Sequence, residues 1–410
     1  MSIHDVSTAG EARSLRGLHL AQTLSIKPTL RGWLVPSQSG KGKYTVALDM
    51  SGCTCLDFAQ RLDKCKHIYA VEHMLEGNLD EIEPEPKPAK VTYTQRWPEY
   101  NAAQRTEKAN FLLLLNGLCQ GIGEPPQVMG RPRLSYADMV FSAAFKVYSG
   151  LSGRRFASDL QDAHSKGYVS KVPHFNSIYN YFDKDELTPL LHELITVTAL
   201  PLKAVESDFA VDSSGFSNNR FVKWFNVKHG RELDYSDWVK LHLMTGVTTN
   251  VVTSIEVSGR HDHDTNFFKP LVDATARNFA MKEISADKAY SSRDNLHTAM
   301  SHGATPFIPF KSNATGEAGG DNLWKIMFHY YSLRRADFLS HYHKRSNIES
   351  TFSMIKGKFG DAIRGKTETA QLNEVLLKVL CHNICVVHQS MHELGIEATF
   401  CAGFTLAQKV

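Results

Sequence analysis

The sequence predicts an α/β protein: a mixed sheet covered by helices, preceded by a helical domain and a small N-terminal module bearing cysteines. Three observations carry this reading. Over residues 136–195 apolar side chains recur at helical spacing, with Met139, Val140, Ala143, Ala144 and Val147 followed by Phe156 and Leu160, then Ile178, Tyr181 and Phe182, then Leu187, Leu190 and Leu191. After Pro201 the pattern changes to β-rich runs at 209–212, 224–227, 239–247 and 251–257. Ahead of both, a 15-residue window holds Cys53-x-Cys55 and Cys65-x-His67.

The chain of 410 residues, 42% hydrophobic and 22% charged, is long enough for two or three domains with cores of their own. Lys+Arg 46 against Asp+Glu 43 leaves a net charge of +3, so the total shows no bulk field pointing to a polyanionic partner. The start is polar, without the apolar core of a signal peptide, and the longest apolar stretch, 111–118, is far short of the roughly 20 residues of a membrane span. No membrane partner is expected, and the location is read as cytoplasmic. Seven cysteines at uneven spacing read as thiols or metal ligands, not as a disulfide framework.

Taken in order, residues 1–80 form the cysteine module. Tracts 32–35 and 44–48 alternate like a hairpin, and 68–75 reads as a short helix. Three thiols and an imidazole suit tetrahedral zinc, which would supply folding energy that so short a module lacks. Residues 81–129 comprise an acidic linker with Pro84, Pro86 and Pro88, then a connecting helix. Residues 130–200 form the helical domain and 201–395 the sheet domain, with helices expected near 265–278 and 293–301, strands at 282–286 and 306–310, and a tail over 396–410.

The Cys-x-Cys and Cys-x-His pair resembles the SWIM zinc finger, with all four positions matched. That resemblance implies a structural Zn²⁺ in a module that binds DNA or protein.

A second pattern lies in the segment 342–358, YHKRSNIESTFSMIKGK. At about 100° per residue on one helix, with Arg345 at zero, Tyr342, Glu349 and Lys356 fall at about 60°, 40° and 20°. Ile348, Phe352, Ile355 and Phe359 form an apolar face beside this stripe. A glutamate that holds a metal ion needs further hard carboxylates converging from other elements. Asp212, followed by Ser213, Ser214 and Gly215, reads as the end of a strand, and Asp287 ends the next such run. Asp208 and Asp294 compete with them. The cluster His261, Asp262, His263 and Asp264 is tempting as a metal site, but Asp264 directly precedes a helical run and reads as its N-cap.

The spacing Tyr-x2-Arg-x3-Glu-x6-Lys resembles the signature of the DDE insertion-sequence transposases, and VDSSGF and ADKAYSS look like the surroundings of that family's first two catalytic aspartates. The resemblance implies a ribonuclease-H-like core with Asp212, Asp287 and Glu349 as catalytic carboxylates. These would hold two Mg²⁺ ions, for which Mn²⁺ can substitute. It also implies double-stranded DNA, both element ends and target, as partner, a homodimer in the DNA complex, association with the nucleoid, and cleavage followed by strand transfer. Arg345 and Lys356 would bind phosphates, and Tyr342 would stack on or hydrogen-bond an extruded nucleotide. A nuclease without strand transfer and a catalytically silent DNA-binding protein are the alternatives.

The near-neutral total is compensated. Residues 130–182 hold seven Lys/Arg against three Asp/Glu, and residues 341–367 hold six against two. In the first of these, Gly130-Arg131-Pro132-Arg133 is similar to the core of an AT-hook. Arg154, Arg155 and a short helix at 174–182 suggest a helix-turn-helix, with His174, Ser177 or Asn180 facing the major groove. Cys381, Cys385, His388 and His392 share a helical stripe, but their apolar neighbours assign that helix to the core.

Overall fold

The computed structural model describes residues 3–29, 32–37, 42–76, 96–124, 129–130, 132–218, 238–259, 262–316, 319 and 321–400. Arg131, His261, the run expected as a strand at 224–227, nearly all of the acidic linker, and the tail from 401 with Cys401 lie outside the described residues. Two compact units divide the chain, Met1–Val91 and Thr92–Val410.

The first unit opens with a helix not read from its polar sequence, α1 (Ile3–Thr23). A three-stranded antiparallel sheet follows, β1 (Lys27–Thr29), β2 (Gly32–Pro36) and β3 (Lys43–Val46), then α2 (Leu56–Arg61) and α3 (Lys66–Leu75). The expected hairpin is β2 paired with β3, in the register Trp33↔Val46 to Pro36↔Lys43. Helix α1 packs on α3 at Gly17, where an added Cβ would lie 2.4 Å from Tyr69 Cβ, so only glycine allows this approach. The core is small: Val35, Val46, Ile68 and Val71 close around Cys53, Cys55 and Cys65.

In the second unit, α4 (Trp97–Gln120), α5 (Tyr136–Ser149), α6 (Gly153–Ser165), α7 (Phe175–Phe182) and α8 (Leu187–Ala199) precede the sheet. Strands β4 (Asp208–Ser217), β5 (Trp238–Gly246) and β6 (Val252–Ser258) form an antiparallel meander. Then come α9 (Thr265–Ala276), β7 (Glu283–Ala286), α10 (Arg293–Ser301), β8 (Thr305–Phe307), α11 (Asn322–Leu333), α12 (Arg335–Tyr342), α13 (Ser346–Phe359) and α14 (Glu368–Glu393).

The spatial order is β6-β5-β4-β7-β8, with β7 parallel to both of its neighbours. The sheet is therefore mixed, as expected. The helices of 136–199 and the sheet share one hydrophobic core, running from Phe111 through Phe145 and Leu191 to Phe209, Ile284 and Leu380. Asn383 on α14 ties the layers together: its amide donates to Val252 O at 2.8 Å and Ile195 O at 3.2 Å, and its Oδ1 accepts from Val252 N at 2.9 Å. Helix α14 is long and apolar enough to cross a membrane, but 83% of its apolar window is buried inside the unit, which marks a core helix. Cys381 and His388 are among its buried residues.

Candidate catalytic site and zinc cluster

Asp212 does not end its strand, as the sequence suggested. Strand β4 continues five residues further, because Ser213, Ser214 and Gly215 stay extended when paired with His242, Leu241 and Lys240 of β5. Asp287 directly follows β7, as expected. The parallel pairing runs Asp208↔Glu283 to Val211↔Ala286, so the next pair in register is Asp212 with Asp287. Neighbouring strands lie about 4.8 Å apart, so chain topology alone brings these two carboxylates side by side.

Glu349 arrives on the first turn of α13, and Arg345 joins the acids. One guanidinium nitrogen donates to Asp212 Oδ2 at 2.6 Å and the other to Glu349 Oε1 at 2.5 Å. Burial pushes the Asp212 carboxyl up and the nearby charges of Asp287 and Glu349 add to this, while the Ser213 N–H and Arg345 pull it back down. Asp212 and Glu349 are thus bridged by one guanidinium, with Asp287 next in register to Asp212, three hard oxygen donors of the kind a divalent cation takes, although their oxygens are not drawn as close together as the ligand atoms of the cysteine cluster described below.

The single helix expected across 342–358 is broken by a 3-10 turn, His343–Arg345. Each residue of that turn advances about 120° instead of 100°, which rotates Tyr342, the last residue of α12, by roughly 60° from its place on the continuous wheel. Its ring nonetheless stays 6.0 Å from the Arg345 guanidinium, and burial raises its phenol. Lys356 reaches β4 instead of projecting freely: its ammonium donates to Ser214 Oγ at 2.7 Å and Gly215 O at 2.8 Å, and burial lowers its pKa.

The competing aspartates fall elsewhere. Asp208, at the start of β4, pairs with Lys344, which also holds Glu283, each at 2.7 Å. Asp294 is exposed in the first turn of α10. Asp264 stands at the N-terminus of α9, but its side chain makes no capping bond, which corrects the expected role. It is drawn instead to charge and hydroxyl, pairing with Lys240 and accepting from Ser213 Oγ at 3.2 Å. His242 lies beside it, fully buried and stacked on Phe267, with Nε2 at 2.8 Å from Ser258 Oγ, and burial lowers its pKa to about 4. Successive strand residues face opposite ways, so this group lies on the other face of the sheet from Asp212. Reading 239–247 only as a β-rich run missed it; the signal was the polar alternation Lys240, His242.

Arg133, Arg154 and Arg155 are exposed, the last two on the first turn of α6, and Arg154 lies 5.6 Å over the Phe175 ring. His174 caps α7, its Nδ1 accepting from Asn176 N at 3.3 Å. Asn180 is exposed and Ser177 half-buried on the same helix.

In the small unit, one ligand atom from each of Cys53, Cys55, Cys65 and His67 lies within 4.8 Å of the others, and no second such group exists among the described residues. The fold explains the convergence. Cys53 is bridged to Val46 at the end of β3, Cys55 caps α2 by accepting from Phe58 N, and Cys65 and His67 begin α3. Helix N-termini favour thiolates. His67 Nδ1 faces the sulfurs, at 3.8 Å from Cys53 Sγ and 3.9 Å from Cys65 Sγ, and hydrogen bonding by the Cys53 thiol, then by His67, pulls Cys65 well below the usual thiol range. The donor set fits a structural Zn²⁺ bound through three sulfurs and Nδ1.

Comparison with known proteins covers the regions that hold both clusters. Residues 203–384 match the family model described as "Transposase DDE domain", and residues 44–76 match that of the "SWIM zinc finger". The chain carries a transposase DDE domain and a SWIM zinc finger, as the two sequence patterns implied. Among curated proteins it is similar to the "Probable transposase for insertion sequence element ISA1214" of Archaeoglobus fulgidus, with 26% identity over 213 residues. The match covers 52% of this chain and 63% of that relative's length.

Proposed function

We propose that the protein is a DNA transposase that cleaves the ends of its mobile element and transfers the freed strands to a target. The observation that carries this reading is the adjacency of Asp212 and Asp287 on parallel neighbouring strands, with Glu349 linked to Asp212 through Arg345. The strand order β6-β5-β4-β7-β8 fits a ribonuclease-H-like core. In this reading Asp212, Asp287 and Glu349 hold two Mg²⁺ ions, which when bound stabilise the attacking and leaving oxygens of an in-line displacement. Arg345 holds two of the acids in place, and with Tyr342 it faces the strand to be cut. Lys356 fixes β4 against α13 beside the acids.

Water attacks first, leaving a 3′ hydroxyl that then attacks a phosphodiester of the target. Strand transfer separates this reading from a nuclease with the same core. Double-stranded DNA lies across Arg131, Arg133, Arg154 and Arg155 of the helical domain 130–200, a homodimer joins the two ends, and the protein acts at the nucleoid.

The test is Asp287→Ala in a strand-cleavage assay with Mg²⁺ or Mn²⁺. Cleavage and joining should fall by at least about 10²–10³-fold, the loss typical when one group that stabilises transition-state charge is removed from an active site, while DNA binding remains. Wild-type cleavage by the variant would refute the site.

A further inference from the structure

Away from the acids, a cavity of about 600 Å³ opens between α5, α7, α14 and the loop after α13. The two basic segments of the sequence meet in it. Lys146, Tyr179 and Phe182 come from the first, and Phe359, Arg364 and Lys366 from the second. Its lining carries four cations, Lys146, Arg364, Lys366 and Lys378, against two carboxylates, Asp183 and Glu374. Both carboxylates are engaged: Asp183 accepts from the Thr367 hydroxyl, and Glu374 accepts from the backbone N–H groups of Arg364 and Gly365 at 2.8 Å each.

The cations differ. Lys378 is buried but satisfied, donating to Gly360 O and Ala362 O at 2.8 Å each. Lys146 is 6% exposed and, among the described residues, its side chain has no hydrogen bond or ion pair. The stem is buried and the ammonium reaches the cavity with no hydrogen-bonding partner of its own among the described residues, so an anion seated in the cavity would offset the cost of its partial desolvation. A volume of this size exceeds the needs of a lone phosphate and falls in the range of small-molecule pockets. Tyr179, Phe182 and Phe359 also line the cavity, aromatic side chains of the kind on which bases stack.

Strand and helix both lead from the acids to this cavity. Ten residues of α13 separate Glu349 from Phe359, about 15 Å, and five residues of β4 separate Asp212 from Ser217, which bridges to Ala362 in the cavity wall, about 17 Å. Along a duplex this is about four to five base-pair steps at 3.4 Å each.

We propose that this cavity binds one unstacked nucleotide of the DNA strand, its phosphate on Lys146 and Arg364 and its base against Tyr179, Phe182 and Phe359, four to five steps from the scissile phosphodiester. The inference rests on the transposase reading for its strand, but the pocket can be tested without it.

The experiment uses the full zinc-loaded chain and two probes, 5-iodo-deoxyuridine monophosphate free and the same nucleotide within a single-stranded oligonucleotide. Photo-crosslinked peptides are mapped by mass spectrometry. Both probes should label 175–182 or 359–367, and dTMP should compete while thymidine and inorganic phosphate compete at least about tenfold less well. Lys146→Met should lose the labelling at least about tenfold, and Asp287→Ala should keep it. Labelling of other segments, labelling insensitive to Lys146→Met, equal competition by inorganic phosphate, or labelling by the free nucleotide alone would each overturn the proposal. Loss of cleavage in Asp287→Ala with no labelling at the cavity would sink the pocket and leave the transposase reading standing.

Discussion

Lys146 supplies the sharpest stability prediction. Burial, reinforced by Arg364 and partly offset by Glu374, lowers its pKa from an ordinary 10.5 to about 8. At ~1.4 kcal/mol per pH unit, that difference corresponds to about 3 kcal/mol of destabilisation while the lysine is charged in both states. The sign follows from proton binding. Between pH 8 and 10.5 the unfolded chain holds the extra proton, so stability rises with pH across that window, and below pH 8 the full cost is present.

Methionine nearly matches the lysine stem and carries no charge. Lys146→Met should therefore be more stable than wild type at pH 7 by up to about 3 kcal/mol, or about 4–5 °C in melting temperature for a unit of this size. The advantage should fade as the pH approaches 10.5. Urea denaturation of both proteins at pH 7, 8, 9 and 10 measures it. Lys378→Met is the contrast: it strips Gly360 O and Ala362 O of their donor and should destabilise by about 1–3 kcal/mol. A Lys146→Met variant less stable than wild type at pH 7, or one whose advantage does not change with pH, would refute the reasoning.

Three further outcomes are expected. Cys65→Ser should lose the bound zinc, measured by elemental analysis under reducing conditions, and with it the hydrogen-exchange protection of residues 43–75, while α14 stays protected, because the small core is built around the ligands. Arg154→Ala with Arg155→Ala should weaken duplex binding at 50 mM salt and lower the slope of log K against log salt by about 2, one for each phosphate that the protein no longer neutralises; an unchanged slope removes these residues from the interface. Asn383→Ala should destabilise by about 2–4 kcal/mol in urea, since it leaves Val252 N and O and Ile195 O without their buried partner.

Much of this was legible along the chain because it depends on local geometry. Helix and strand periods placed α10 at its bounds and β7 within one residue, and they assigned α14 to the core. Where tertiary surroundings outweighed a local rule, they decided. Asp264 read as a helix cap, but Lys240 on β5 and Ser213 on β4 drew its carboxylate across to the sheet instead. Helix α1 went unread because its sequence is polar, and its docking depends on Gly17 meeting α3. The 3-10 turn at 343–345 is invisible to a wheel that assumes one pitch throughout.

The sequence by itself singled out Cys53, Cys55, Cys65 and His67, running from just after a hairpin to the first turn of α3, and Glu349 with Arg345 one turn before it, since such short spacings survive any packing of the rest. It also determined that a sheet follows a helical region. Only the tertiary structure decided that Asp212 and not Asp208 stands beside Asp287, because that follows from the parallel register of strands 75 residues apart. The same holds for Lys146 and Arg364, which are far apart in the chain and share a cavity because α5, α14 and the loop after α13 close around it. Periodicity fixes neighbours within an element, and topology fixes neighbours between elements.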